Sequence, residues 1–132
     1  MDELGIRDRV ILPGMQDDVV PWLACMDVFC LSSVTEGTSL TLLEAGAAEL
    51  PLVATDVGGN GEIIEDGVSG FLAPSGDAAA LASALERLCR EPGLRVGMGQ
   101  AARAKVEQDY SMERMIDQYE SLYRAVLPET TS

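Results

Sequence analysis

Short apolar runs alternate with helically spaced segments through the first half of the chain. Val10-Ile11-Leu12 is apolar throughout and is halted by Pro13-Gly14, so it reads as a buried strand leading into a loop. Val19 to Met26 has helical spacing, with Asp17 or Asp18 as N-cap and Pro21 tolerated in its first turn. Asp27 to Leu31 is the next strand, closed by Ser32-Ser33. The loop from Val34 to Thr38 opens a helix capped by Thr38 or Ser39 and running to about Ala48. Pro51 to Thr55 is a third strand, followed by the glycine-dense loop Gly58-Gly59-Asn60-Gly61 and a helical turn at Glu62-Ile63-Ile64. Gly70 to Ala73 is a fourth, short strand.

After Pro74 the pattern is helical only. Asp77 caps a helix from Ala78 to about Arg90, and a second runs from Leu94 to about Gln108, loosened by Gly97 and Gly99. Ser111 caps a last helix that carries Met115, Ile116, Tyr119, Leu122, Tyr123 and Val126 on one stripe. Pro128 stops it, and Glu129 to Ser132 reads as a frayed tail. Apolar strands separated by helices predict an α/β fold: part of a doubly wound, Rossmann-like parallel sheet with helices on both faces, followed by C-terminal helices. The expected organisation is a partial sheet domain over residues 1–110, a C-terminal helix over 111–128 and the tail over 129–132.

Composition narrows the chemistry. The chain has 132 residues, the size of one domain, with 47% apolar and 23% charged residues. Its 22 acidic residues against 9 basic ones give a net charge of −13, which disfavours a nucleic-acid partner. The absence of histidine excludes a Ser–His–Asp triad and His-ligated zinc. Cys25, Cys30 and Cys89 show no metal-binding spacing; Cys25 and Cys30, in an apolar run, read as small buried hydrophobes, and free thiols fit a reducing, cytoplasmic setting. The charged start, Met1 to Arg9, does not resemble a signal peptide, and no apolar run approaches the ~20 residues of a membrane span. Trp22, Phe29, Tyr119 and Tyr123 fall at core spacing and are expected to pack.

The chemically informative stretch is Ser32 to Ala45, which begins at the carboxyl end of a strand and opens a helix. Doubly wound sheets bind ligands at such places. Free N–H groups and a partial positive charge at the helix start suit a phosphate. Gly37 lets a ligand come close to the main chain. Glu36 and Glu44 stand on either side of that helix start, and a carboxylate accepts well from two vicinal hydroxyls of a sugar or ribose. Each feature has a structural competitor: Glu36 as a solvated loop carboxylate, Thr38 and Ser39 as caps only. Glu44, an acid inside the apolar helix Leu40-Leu42-Leu43-Ala45, needs a partner or a ligand.

Two glutamates separated by seven residues, the first followed by Gly37, resemble the signature of retaining GT-B glycosyltransferases of family four. The resemblance extends to Arg9–Gly14, Pro51–Gly59, Glu62–Leu72 and the helix from Ser111 to Leu127, covering roughly residues 3 to 127. It implies the C-terminal, donor-binding domain of such an enzyme, with a nucleotide-diphosphate sugar as donor substrate and no cofactor or metal. Glu36, the catalytic candidate, would contact donor-sugar hydroxyls, and Glu44 would hold the ribose hydroxyls. The backbone amides of Thr38, Ser39 and Leu40 would face the diphosphate beside Gly37. Gly14 and Met15 match a loop that contacts the nucleobase, although Met15 also reads as a packed side chain. Gly58 and Gly59 match a glycine loop near the donor or serve a turn alone. Glu62, Glu65 and Asp66 read as a solvated rim.

Some features of that family have no counterpart here. Its diphosphate is gripped by an Arg and a Lys on an earlier strand and helix, and its acceptor pocket lies in an N-terminal domain. Neither has a match, so the expectation is an N-terminally truncated enzyme that binds donor weakly and does not turn over alone. Glu49 and Gly61 replace a common Gly and a common Pro. With the family's strand order, the strand at Asp27–Leu31 presents a bare edge that invites self-association. A non-catalytic nucleotide-binding or interaction module is the alternative. A receiver-type phospho-switch requires a strand-end lysine, and the only lysine here is Lys105, far along a helix.

Overall fold

A computed structural model describes residues 2–127. Three parallel strands form the sheet: β1 (Phe29–Leu31), β2 (Leu52–Thr55) and β3 (Gly70–Ala73), in the order β1-β2-β3. The helices are α1 (Val20–Leu23), α2 (Leu40–Ala47), α3 (Asn60–Ile63), α4 (Ala78–Arg90), α5 (Pro92–Asp109) and α6 (Met112–Val126). Two 3-10 turns, Asp2–Leu4 and Arg7–Arg9, precede them. This is the α/β architecture expected from the alternation of apolar strands and helices. The expected stop at Pro128 and the tail from Glu129 to Ser132 lie outside the described residues.

The central strand explains the layering. All of β2 is buried. Leu52 and Ala54 join Leu42, Ala45, Ile63, Ile64 and Ala102 in one cluster, whereas Val53 joins Leu88 and Met98 in another. The period-two alternation of a strand thus needs helical cover on both faces. Helix α5 serves both clusters, through Ala102 and Met98. Its Gly99 forms a notch: a Cβ there would lie 2.1 Å from the Glu49 carbonyl oxygen. The glycine that loosens α5 in isolation therefore seats it against the end of α2.

Several expectations fail in instructive ways. Val10-Ile11-Leu12 is not a strand, and Ile11 and Leu12 are 81% and 74% exposed. Among the described residues no strand lies beside it, and an apolar run without a ladder partner has nothing to bury against. The sheet therefore has three strands rather than four. The helix expected from Val19 to Met26 shrinks to Val20–Leu23, with Asp18 Oδ1 accepting from the Val20 N–H at 3.0 Å. Cys25 and Cys30 are exposed rather than buried, and Cys89 is exposed as well. Cys30 is on the edge strand β1, between Phe29 and Leu31, which face the first cluster. Its surroundings are still crowded enough that burial pushes its thiol pKa up. Tyr119 and Tyr123 are 56% and 59% exposed, because α6 buries none of its residues. Trp22 is also partly exposed, and Asp66 is more than rim, since its Oδ1 accepts from the Leu72 N–H at 2.9 Å.

Helix boundaries follow the caps. Ser39, Asp77 and Ser111 each accept a backbone N–H at the start of α2, α4 and α6. Among the described residues, Glu49 is the only non-glycine at positive φ (64°), just past the C-terminus of α2. That conformation costs a side chain about 1–2 kcal/mol, and the helix dipole there disfavours its carboxylate. The ion pair with Arg103 at 3.5 Å is exposed and offsets little.

Two outcomes are expected. Glu49→Gly should stabilise the fold by about 0.5–1 kcal/mol after glycine's larger unfolded-state entropy is counted. A thermal melt in which the variant unfolds earlier than the parent would refute the strain at this turn. Alkylation with iodoacetamide at pH 8 should modify Cys25 and Cys89 ahead of Cys30, because the thiolate is the reacting form. Mass spectrometry showing Cys30 labelled first would contradict its raised pKa.

Candidate functional site

Parallel pairing aligns the strand ends. Leu31 lies opposite Ala54, and Thr55 lies opposite Ala73. The loops that leave the strands at their carboxyl ends therefore start side by side, with residues 32–39 next to residues 56–59. The two loops touch through their main chains. The Gly59 N–H donates to the Gly37 carbonyl at 3.0 Å. Gly58 has φ of 54°, and a Cβ on it would sit 1.9 Å from the Glu36 carbonyl oxygen. No side chain fits that seam, so the glycine loop supports the loop carrying Glu36.

Glu36 is half-buried, and the Ser33 hydroxyl donates to its Oε1 at 2.5 Å. Gly37 and Thr38 are exposed. A Cβ on Gly37 would meet nothing within 4 Å, and Gly37 is not among the glycines at positive φ. The protein's own packing therefore does not require glycine at this position, in contrast to Gly58. Ser39 is buried, and its Oγ accepts from the Leu42 N–H at 3.4 Å while contacting Thr41 Oγ1 at 3.1 Å. That cap satisfies one donor of the first turn of α2; the N–H groups of Leu40 and Thr41 precede any intrahelical acceptor. Leu40 is 70% exposed, so the helix start is open to solvent.

Glu44 lies one turn further along α2 and is exposed, not enclosed by the apolar positions around it. The need for a buried partner inferred from its neighbours does not arise, because Leu42 and Ala45 turn into the core while Glu44 shares the solvent-facing side of the helix with exposed Leu40. Glu44 instead borders a largely apolar cavity of about 280 Å³, with Gly14, Trp22, Leu23 and Phe29 among its walls. The loop entering this cavity is braced: the Trp22 indole donates to Gln16 Oε1 at 3.1 Å, and Gln16 Nε2 donates to the Pro13 carbonyl at 3.0 Å. Gly14, at φ of 75°, lines the cavity beside Glu44. Met15 does not line it and is 92% exposed, so its reading as a packed side chain fails.

Sequence reading missed Ser33, Gln16 and the cavity-lining role of Trp22. Nothing in the local pattern marks them, because their partners are set by loop geometry. No residue lining the cavity is basic. Arg90, Arg103, Lys105 and Arg124 instead pair with carboxylates four positions away on their own helices, Arg87 pairs with Glu91 at the end of α4, and Arg95 donates to the Leu88 and Cys89 carbonyls.

Comparison with known proteins gives this arrangement a context. A family model described as glycosyl transferases group 1 matches residues 1–91. N-acetyl-α-D-glucosaminyl L-malate synthase of Bacillus anthracis is 39% identical over 124 residues, covering 94% of this chain and 32% of that protein. Among solved structures, sucrose-phosphate synthase of Thermosynechococcus elongatus superposes with a TM-score of 0.87 at 29% identity, over 95% of this chain and 32% of that one. HepE of Anabaena, solved in complex with UDP, superposes with a TM-score of 0.90 at 25% identity, over 95% of this chain and 35% of that one. The chain thus spans about a third of the length of the curated relatives it matches. No described helix is long and apolar enough to cross a membrane. The matched family model, the level of identity and the shared GT-B architecture establish that this chain belongs to the group 1 glycosyl transferases.

Proposed function

We propose that the chain forms the donor-binding side of a glycosyltransferase that transfers a sugar from a nucleotide-diphosphate sugar with retention of configuration. The observation that carries this reading is the placement of Glu36 and Glu44 on either side of the open start of α2, with Glu44 at the mouth of an apolar cavity. In this reading Glu44 accepts from the two ribose hydroxyls, and the nucleobase lies in the cavity against Trp22, Phe29 and the Gly14 main chain. The diphosphate meets the amides from Thr38 to Leu40 and the positive end of the helix. Glu36 holds the donor sugar. Charge that develops on the departing diphosphate is stabilised by oriented N–H groups, and Glu36 contributes by fixing the sugar's position. Gly37, which this chain's packing leaves unconstrained, gives the diphosphate or sugar close access to the backbone. The acceptor site belongs to the remainder of a protein of the relatives' length, so this chain by itself binds donor without turnover.

HepE is known in complex with UDP and with UDP-glucose, which makes these the first ligands to titrate. Calorimetry with UDP, GDP and ADP is expected to show one of them binding at millimolar affinity or better. Glu44→Ala should weaken that ligand at least tenfold, since two hydrogen bonds to a charged acceptor are lost at ~1.5–3 kcal/mol each. No binding of any nucleotide would favour a non-catalytic interaction module instead. A second outcome separates ligand from packing: Gly37→Ala should leave the melting temperature unchanged within error and weaken the nucleotide sugar severalfold. An unchanged affinity would remove Gly37 from the site.

A further inference from the structure

Behind Glu36 runs a chain of hydrogen bonds that begins in the core. Asn60 is fully buried, and its Nδ2 donates to the Thr55 carbonyl at 2.9 Å. Thr55, 2% exposed at the end of β2, donates its hydroxyl to the Ser33 carbonyl at 2.6 Å. Ser33 in turn donates its hydroxyl to Glu36 Oε1 at 2.5 Å. A contact of that length to a carboxylate is the short, charge-assisted kind. Asn60 Oδ1 has no partner, and an orphaned buried acceptor is costly. An apolar residue would avoid that cost, so what the amide contributes at this position is its donor to Thr55.

The direction of the chain matters. Every donor points from the rigid interior towards the loop: Asn60 to Thr55, Thr55 to Ser33, Ser33 to Glu36. The main-chain seam at Gly58 and Gly59 fixes the same loop from its other side. A half-buried glutamate on a free loop samples several rotamers, each costing entropy to select. Here Oε1 accepts from Ser33, which restricts the carboxylate's rotamers and leaves Oε2 available to a ligand hydroxyl.

We propose that Ser33, Thr55 and Asn60 are positioning residues that preset the carboxylate of Glu36 for the hydroxyls of the donor sugar. This rests on the donor-sugar role proposed for Glu36. None of the three lines the cavity beside Glu44, so they should govern the sugar's contribution to binding and leave the nucleotide's alone.

The experiment titrates the chain with UDP-glucose, GDP-mannose and ADP-glucose and with the corresponding free diphosphates. The readout is the preference for a nucleotide sugar over its own diphosphate. Glu36→Ala should erase that preference. Ser33→Ala should reduce it severalfold, because the carboxylate regains rotamer freedom that binding must then remove, with diphosphate affinity held within twofold. Ser33→Thr should restore it. Thr55→Val should act in the same direction, with Thr55→Ser restoring it. A merely structural role would weaken sugar and diphosphate together and leave the ratio fixed, which overturns the proposal. If Ser33→Ala preserves a preference that Glu36→Ala removes, the positioning chain fails and the donor reading stands. If no nucleotide sugar binds better than its diphosphate, the role of Glu36 fails and the inference falls with it. Thermal melts test the bond without ligand: Ser33→Ala, Glu36→Ala and the double variant should be non-additive, and additive shifts would overturn the coupling.

Discussion

Parallel pairing of β2 with both neighbours is the constraint on which the rest of the site depends. Antiparallel strands would send successive loops to opposite ends of the sheet. The parallel register puts the exits of β1 and β2 together at one edge, with Leu31 beside Ala54 and Thr55 beside Ala73. That edge is the only place where Ser33, Glu36, Thr55 and Gly58 can meet. The pairing is possible because β2 is apolar on both faces and finds helices on both.

Strand pairing at that edge produces a division of labour between two kinds of contact. Main-chain contacts set the distance between the two loops, and they tolerate no Cβ at Gly58. Side-chain hydrogen bonds then set direction, from buried Asn60 outward to half-buried Glu36. The carboxylate at the end of this series is half-buried, with one oxygen bonded to Ser33. The same logic separates Gly37 from Gly58, two glycines on facing loops. One is required by the fold, and the other has open space around it.

The acidic character of the chain has a local meaning as well. Arg87, Arg90, Arg103, Lys105 and Arg124 each pair with a carboxylate four positions away, and such i,i+4 pairs add only ~0.3–0.5 kcal/mol each. None lines the cavity beside Glu44. Much apolar surface is also left in water, on the 10–12 segment and along α6.

The sequence by itself determined the elements whose signals are local. Ser39, Asp77 and Ser111 cap their helices as their side chains dictate, and Gly70–Ala73 and Ala78–Arg90 begin and end where residue type changes. The spacing of Glu36 and Glu44 about a helix start was equally legible, because one helix and its preceding loop contain both. Tertiary structure decided everything that depends on a partner distant in sequence. Val10-Ile11-Leu12 has the composition of a strand and is none, since a strand exists only by pairing. The stripe on α6 is plain in the sequence, yet periodicity cannot say whether anything covers it. Glu49, legible in the sequence only as a residue where Gly is common, occupies a left-handed turn. Asn60, Thr55 and Ser33 look unremarkable in the sequence, and they act together because the parallel sheet brings positions 22 residues apart within 2.6 Å.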